Sequence, residues 1–155
     1  MDLYEKRCRA IEALISHQQA IADTARKEMD SAQQQSNDYG QNVDRYDSFR
    51  TKMMRARDMY ARQYSNAIES IRYLQDLMKV RESPSRVEHG CVVVTDKQRF
   101  FLSIGAGKYV VPAAEGEEVF FAISAQVPIA VAMRGKGVGD KFSWGGITHT
   151  ILEIY

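Results

Sequence analysis

The residues best suited to chemistry sit in one short polar stretch, Ser36-Asn37-Asp38-Tyr39-Gly40-Gln41-Asn42-Val43-Asp44, which interrupts an otherwise regular apolar pattern. Asn37 and Asp38 can bond to nearby backbone and Gly40 admits positive φ, so the stretch carries turn chemistry. This reading places Asp38 in the turn, facing water. Asp44 and Asp47 fall in or near the first turns of a helix that restarts around Gln41 or Asn42, where carboxylates suit the positive end of the dipole. Aspartates so placed commonly do no more than stabilise the helix.

Other candidate constellations are poor. His17, His89 and His149 fall in different elements without ligand spacing, and Cys8 and Cys91 are isolated from each other, so neither a zinc site nor a disulfide framework is expected. Cys91 heads an apolar strand and reads as a buried thiol rather than a nucleophile. No serine and histidine are linked into a triad. The run Gly135-Lys136-Gly137-Val138-Gly139 lacks the Gly-Lys-Ser/Thr ending at a helix start that a phosphate loop needs, and Asp140 would repel phosphate, so it reads as a structural turn. Trp144, beside Gly145-Gly146, is either a contact residue or one that packs a turn.

Two different periodicities must position these residues. In the first half Tyr4, Cys8, Ile11, Ile15, Gln18, Ala22, Ala25, Met29 and Ala32 alternate spacings of four and three without a slip, the mark of a coiled-coil seam. A second arm repeats it through Val43, Tyr46, Arg50, Met53, Arg57, Tyr60, Tyr64, Ala67, Ile71, Leu74 and Met78. No proline interrupts either arm. The arms can pair with each other or across a dimer, and the short polar connection favours antiparallel neighbours in one chain. The seam has isoleucines and Leu74 at its base and alanine, methionine and Arg50 distally. The far end is therefore expected to be slim and less stable.

After Glu82-Ser83-Pro84-Ser85-Arg86 the pattern changes to short β-branched runs and glycine turns. Five strands and one short helix at Ile129–Met133 are expected in a small, curled, mostly antiparallel sheet. Ser124 or Gln126 is expected at the helix entrance, and Gly145-Gly146 forms the hairpin turn before the closing strand Thr148–Ile154. The fold class is thus α+β, with a helical coiled-coil hairpin over 1–82, its tip at 35–44, and a β-rich domain over 87–155.

Charge narrows the function classes. The 155 residues hold 21 basic and 20 acidic side chains, a net charge of +1. The balance holds in each half, so free binding to nucleic acid through phosphates is not suggested. The N-terminal residues lack an apolar signal region and no long apolar run exists, so a soluble cytoplasmic protein, favoured as a monomer and without membrane contact, is expected.

The stretch Ile123-Ser124-Ala125-Gln126-Val127-Pro128-Ile129-Ala130-Val131-Ala132-Met133-Arg134-Gly135-Lys136-Gly137-Val138-Gly139-Asp140 resembles the signature I-S-x-x-S-P-x-x-x-A-L-x-G-K-x-x-G-D of the Gre family of bacterial transcript-cleavage factors. Val127 stands where that family usually has serine. His89-Gly90-Cys91-Val92-Val93 resembles the family's opening strand and Thr150-Ile151-Leu152-Glu153-Ile154 its closing one. The resemblance implies an FKBP-like C-terminal domain that holds the mouth of the secondary channel of bacterial RNA polymerase, with the coiled coil reaching toward the active centre. Contact with the RNA 3′ end would be only indirect.

In cleavage factors of this type acidic tip residues help the polymerase hold a second Mg²⁺ and position water. The family tip D-L-S-E-N-A-E-Y is matched here by Asp38 for its first acid, Asn42 for its asparagine and Asp44 for its later glutamate. Tyr46 lies one position beyond the family tyrosine, and Gln41 falls where the second acid belongs. An amide adds no negative charge to a hard cation. The resemblance therefore implies a channel-binding regulator of elongation that is not itself an enzyme and holds no cofactor stably. The alternative is a cleavage factor in which Asp38, helped by Asp44, ligates Mg²⁺ shared with the polymerase. Asn42, Tyr46, Arg50, Arg55, Pro128, Arg134 and Trp144 are the candidate contact residues, with Lys52 and Arg57 beside them. A peptidyl-prolyl isomerase-like or protein-interaction module is the reading from another class.

Overall fold

The computed structural model describes residues 2–38 and 47–155. It is a long N-terminal helical hairpin followed by a mixed β-sheet domain with a short helix. Helices α1 (Leu3–Asp38) and α2 (Asp47–Met78) precede strands β1 (Val92–Thr95), β2 (Arg99–Leu102), β3 (Gly107–Ala113) and β4 (Gly116–Ile123). Helix α3 (Pro128–Met133) and strands β5 (Lys141–Trp144) and β6 (Ile147–Ile154) complete the chain. Two compact units arise, Ser16–Arg72 and the pair of segments Met1–Ile15 and Tyr73–Tyr155.

The unit Ser16–Arg72 is the pairing of two helical arms. On α1 the seam residues Gln18, Ala22, Ala25 and Ala32 are buried and Met29 is half-buried, so small side chains let the helices approach closely. On α2 Ala67 and Ile71 are buried, while Met53, Tyr60 and Tyr64 are half-buried. Arg57, a charged residue on the seam, is accommodated by donating across the hairpin to Gln33 Oε1 at 2.7 Å and pairing with Asp58 at 2.8 Å. Arg50, the other seam arginine, is exposed.

The second unit is a sheet of six strands, in the order β3-β4-β2-β1-β6-β5. All pairs are antiparallel except β2 with β4, which run parallel. The sheet has six strands where five were expected, and its one parallel pair arises because β3 folds back on β4 at the sheet edge, which returns β4 beside β2 in the same direction. Both faces are covered, which explains the nearly unbroken apolar run of β1. Val92, Phe101, Tyr109 and Phe120 pack with Ala10, Ile11, Leu14 and Leu74 of the helix bases. Val93, Phe100, Leu102 and Ile151 pack on the other face with Ala130 and Met133 of α3.

The helix bases are also joined by polar contacts. Arg7 is 3 % exposed and donates to the carbonyl of Glu82 at 3.0 Å and to that of Val80, while the Tyr4 hydroxyl donates to the Met78 carbonyl at 2.8 Å. These carbonyls end or follow α2 and have no intrahelical donor, so α1 caps α2 from the side.

Two sequence expectations change locally. The N-cap of α3 is Val127, without a side-chain cap, and Pro128 occupies the first helical turn, where its missing N–H costs nothing. Ser124 instead accepts from the Gln126 amide at 3.3 Å. The glycine run 135–139 is a turn, with Gly135 and Gly139 at positive φ and the Asp140 carboxylate accepting the Gly137 N–H at 2.8 Å. Gly145 and Gly146 both have positive φ, as a two-residue hairpin turn requires.

Burial in this unit gives an alkaline limit. It pushes the Cys91 thiol up to about 11 and Tyr155 up to about 12, from ordinary values of 9.0 and 10.0, and raises Tyr109 as well. The unfolded chain releases these protons first, so their contribution to stability is complete below about pH 9 and is lost as pH rises through the folded-state values. Thermal unfolding followed by circular dichroism from pH 8 to 11 is expected to show a falling midpoint above pH 9. A flat profile would contradict the buried placement of these groups.

Candidate functional site

The candidates on the hairpin are positioned by the end of α1. Asp38 is helical and exposed, rather than lying in a turn. Side-chain amides one turn back explain why the helix continues through Asn37 and Asp38: Gln33 donates to Asn37 Oδ1 and Gln34 to Asp38 Oδ1, each at 2.9 Å. Ser36, also expected in the turn, is helical and 2 % exposed. Tyr39, Gly40, Gln41, Asn42, Val43, Asp44 and Tyr46 lie outside the described residues.

Arg50, Lys52 and Arg55 are exposed on α2, and Arg57 donates to Gln33 and pairs with Asp58.

The remaining candidates belong to the sheet unit. Pro128 is exposed at the start of α3. Its neighbour Ile129 lines a cleft of about 580 Å³ with Trp144, Ile147, Lys97, Gln98 and His149. Trp144 is 44 % exposed, so it is a surface residue of this cleft and not a core residue. Arg134 lies at the other end of α3, where its guanidinium donates to the Ala125 carbonyl at 2.6 Å and closes the loop before the helix. Pro128 and Trp144 are thus brought to one region, and Arg134 serves another contact.

His149 is a residue of this cleft that spacing did not point to. It is 4 % exposed, stacks on Phe142 with centroids 4.9 Å apart and an interplanar angle of 3°, and places Nδ1 3.3 Å from Thr95 Oγ1. The cross-strand register Phe142↔His149, next to Trp144↔Ile147, continues the inward-facing row of the β5–β6 hairpin out to the surface. Alternation along the closing strand was the available signal, since His149 and Ile151 share parity with Ile147.

Among the described residues no group of three or more His, Cys, Asp or Glu side chains is placed to hold a metal ion. Asp38 has the chemistry to donate one carboxylate to a hard cation whose other ligands come from elsewhere. No helix among the described residues is long and apolar enough to cross a membrane. Comparison with known proteins finds no family model and no curated protein that matches this chain.

Proposed function

We propose that this protein is a cytoplasmic regulator of transcript elongation of the Gre type, which binds bacterial RNA polymerase and inserts its helical hairpin into the secondary channel. The observation that carries the reading is Asp38, an exposed carboxylate at the last described position of the long helix α1. A slender alanine-lined hairpin suits a narrow passage. Exposed Arg50, Lys52 and Arg55 on α2 suit its walls. Pro128 and the Trp144 cleft suit a rim contact. Gln41 in place of a second acid argues for regulation without efficient cleavage.

A cleavage reading is favoured by the exposure of Asp38. There Asp38 would supply one carboxylate to a Mg²⁺ shared with the polymerase, and the hydrolysis would remain the polymerase's own.

The test uses stalled, backtracked polymerase. The chain is expected to displace a channel-binding competitor while the RNA length stays unchanged. Shortening that disappears with Asp38→Ala establishes the cleavage reading instead. Failure to bind polymerase overturns both.

A further inference from the structure

The sheet is covered unevenly on the face that carries α3. There Ala130 and Met133 pack with Val93 of β1, Phe100 and Leu102 of β2, Phe142 of β5 and Ile151 of β6, and among the described residues no β3 side chain joins that cluster. At the uncovered end Val110 and Val119, a cross-strand pair, are 46 % and 38 % exposed. Register puts the pairs Lys108↔Phe121 and Pro112↔Glu117 on the same face, one on either side of the valines.

Strand β3 is also an edge of the sheet. Its hairpin to β4 closes at Ala113↔Gly116 over the two residues Ala114 and Glu115, so the closing pair is a hydrogen-bonded one. Alternation then turns the main-chain N–H and C=O of Lys108 and Val110 away from β4, together with the carbonyl of Pro112. Pro112 has no N–H, which is why an edge position tolerates it. Arg9 donates to the Pro112 carbonyl, which keeps a second lone pair. The edge thus presents main-chain donors and acceptors to an incoming strand.

Lys108 and Glu117 supply an independent observation. Both are exposed, and among the described residues neither takes part in an ion pair. Their rows are separated by about 13 Å of strand, too far to meet within one chain.

We propose that β3 is the contact between two copies of this chain, which pair edge to edge and antiparallel about a twofold axis at Val110. Val110 exchanges two main-chain hydrogen bonds with its equivalent, and each Lys108 N–H reaches the Pro112 carbonyl of the second copy. The row Val119-Val110 continues into its twin, so the exposed valines of both copies cover one another. Lys108 lies beside Pro112 of the second copy, and one strand further, about 10 Å away, stands Glu117 of that copy, within reach of a lysine arm across the short proline ring. Both charges find partners, twice in each dimer. Other registers fail on the same residues: an axis at Lys108 opposes like charges, one at Pro112 finds no donor, and one at Tyr109 sets Lys108 against Val110. The donor missing at each Pro112 keeps the association weak. The contact lies in the sheet unit alone and does not rest on polymerase binding.

The test is sedimentation equilibrium of the full chain, which is expected to show a monomer–dimer equilibrium with a Kd on the order of 100 μM. Val110→Lys places two like charges at the axis and is expected to weaken it at least about tenfold. Lys108→Glu and Glu117→Lys are each expected to weaken it at least about fivefold, since each dimer holds two such pairs. The two together are expected to restore it, because the pairs re-form with their signs exchanged. Leu152→Lys, at an exposed apolar position of β6, is expected to leave it unchanged. All these side chains are exposed, so the variants keep the fold. The proposal is overturned by a chain that stays monomeric at about 1 mM, by a dimer indifferent to Val110→Lys, or by a double charge exchange that fails to restore association.

Discussion

Replacing Arg7 with methionine should lower the unfolding free energy by about 3 kcal/mol, because two hydrogen bonds from a charged donor are lost at about 1.5 kcal/mol each. The guanidinium is 3 % exposed and reaches the carbonyls of Val80 and Glu82, and its carbon lies 5.8 Å from the Tyr4 ring centroid. Methionine retains much of the stem's packing, so the loss reports the fork and not its volume. Arg7→Lys should recover less than half, since an ammonium is a point charge that cannot span two carbonyls as a planar fork does. Urea unfolding of the three proteins checks this. Equal midpoints for Arg7 and methionine would show that water replaces the guanidinium without penalty.

Leu14→Ala is expected to cost about 3 kcal/mol, the usual figure for a fully buried leucine whose cavity does not collapse. Leu14 is 0 % exposed among Ile11, Leu74, Phe101 and Phe120. Ile21→Ala, on the same helix but 39 % exposed, should cost less than about 1 kcal/mol. The comparison isolates burial from helix propensity, because both substitutions introduce the best helix former. Similar losses at both positions would mean that α1 is stabilised along its length rather than at its base.

The same pair of residues shows what could be read from sequence. The four-three alternation identified the seam on α1, and every seam residue from Tyr4 to Ala32 is buried or half-buried. Ala10 and Leu14 lie off that stripe, yet both are fully buried, because the base of α1 serves a sheet as well as a helix. One periodicity had already explained the helix, so the additional apolar positions carried no separate signal. Arg7 was opaque for a related reason: its partners are carbonyls, which leave no mark in side-chain identity.

The strand segments were legible from β-branching and turn glycines, but the parallel placement of β2 beside β4 was not, since it depends on which long-range pairing prevails. Asp38 was singled out through resemblance and polar context. Its place inside α1 was missed because Asn and Asp are turn formers, and the deciding amides of Gln33 and Gln34 stand four residues earlier.

The central strand β1 pairs on one side with β2, its immediate successor, and on the other with β6. The Tyr155 and Val92 main chains exchange two hydrogen bonds across that second seam. During synthesis the middle of the sheet therefore waits, half-satisfied, until residues 147–155 leave the ribosome. Such sequence-distant closure slows folding, and a nascent chain stalled before residue 147 would present an open β1 edge to chaperones.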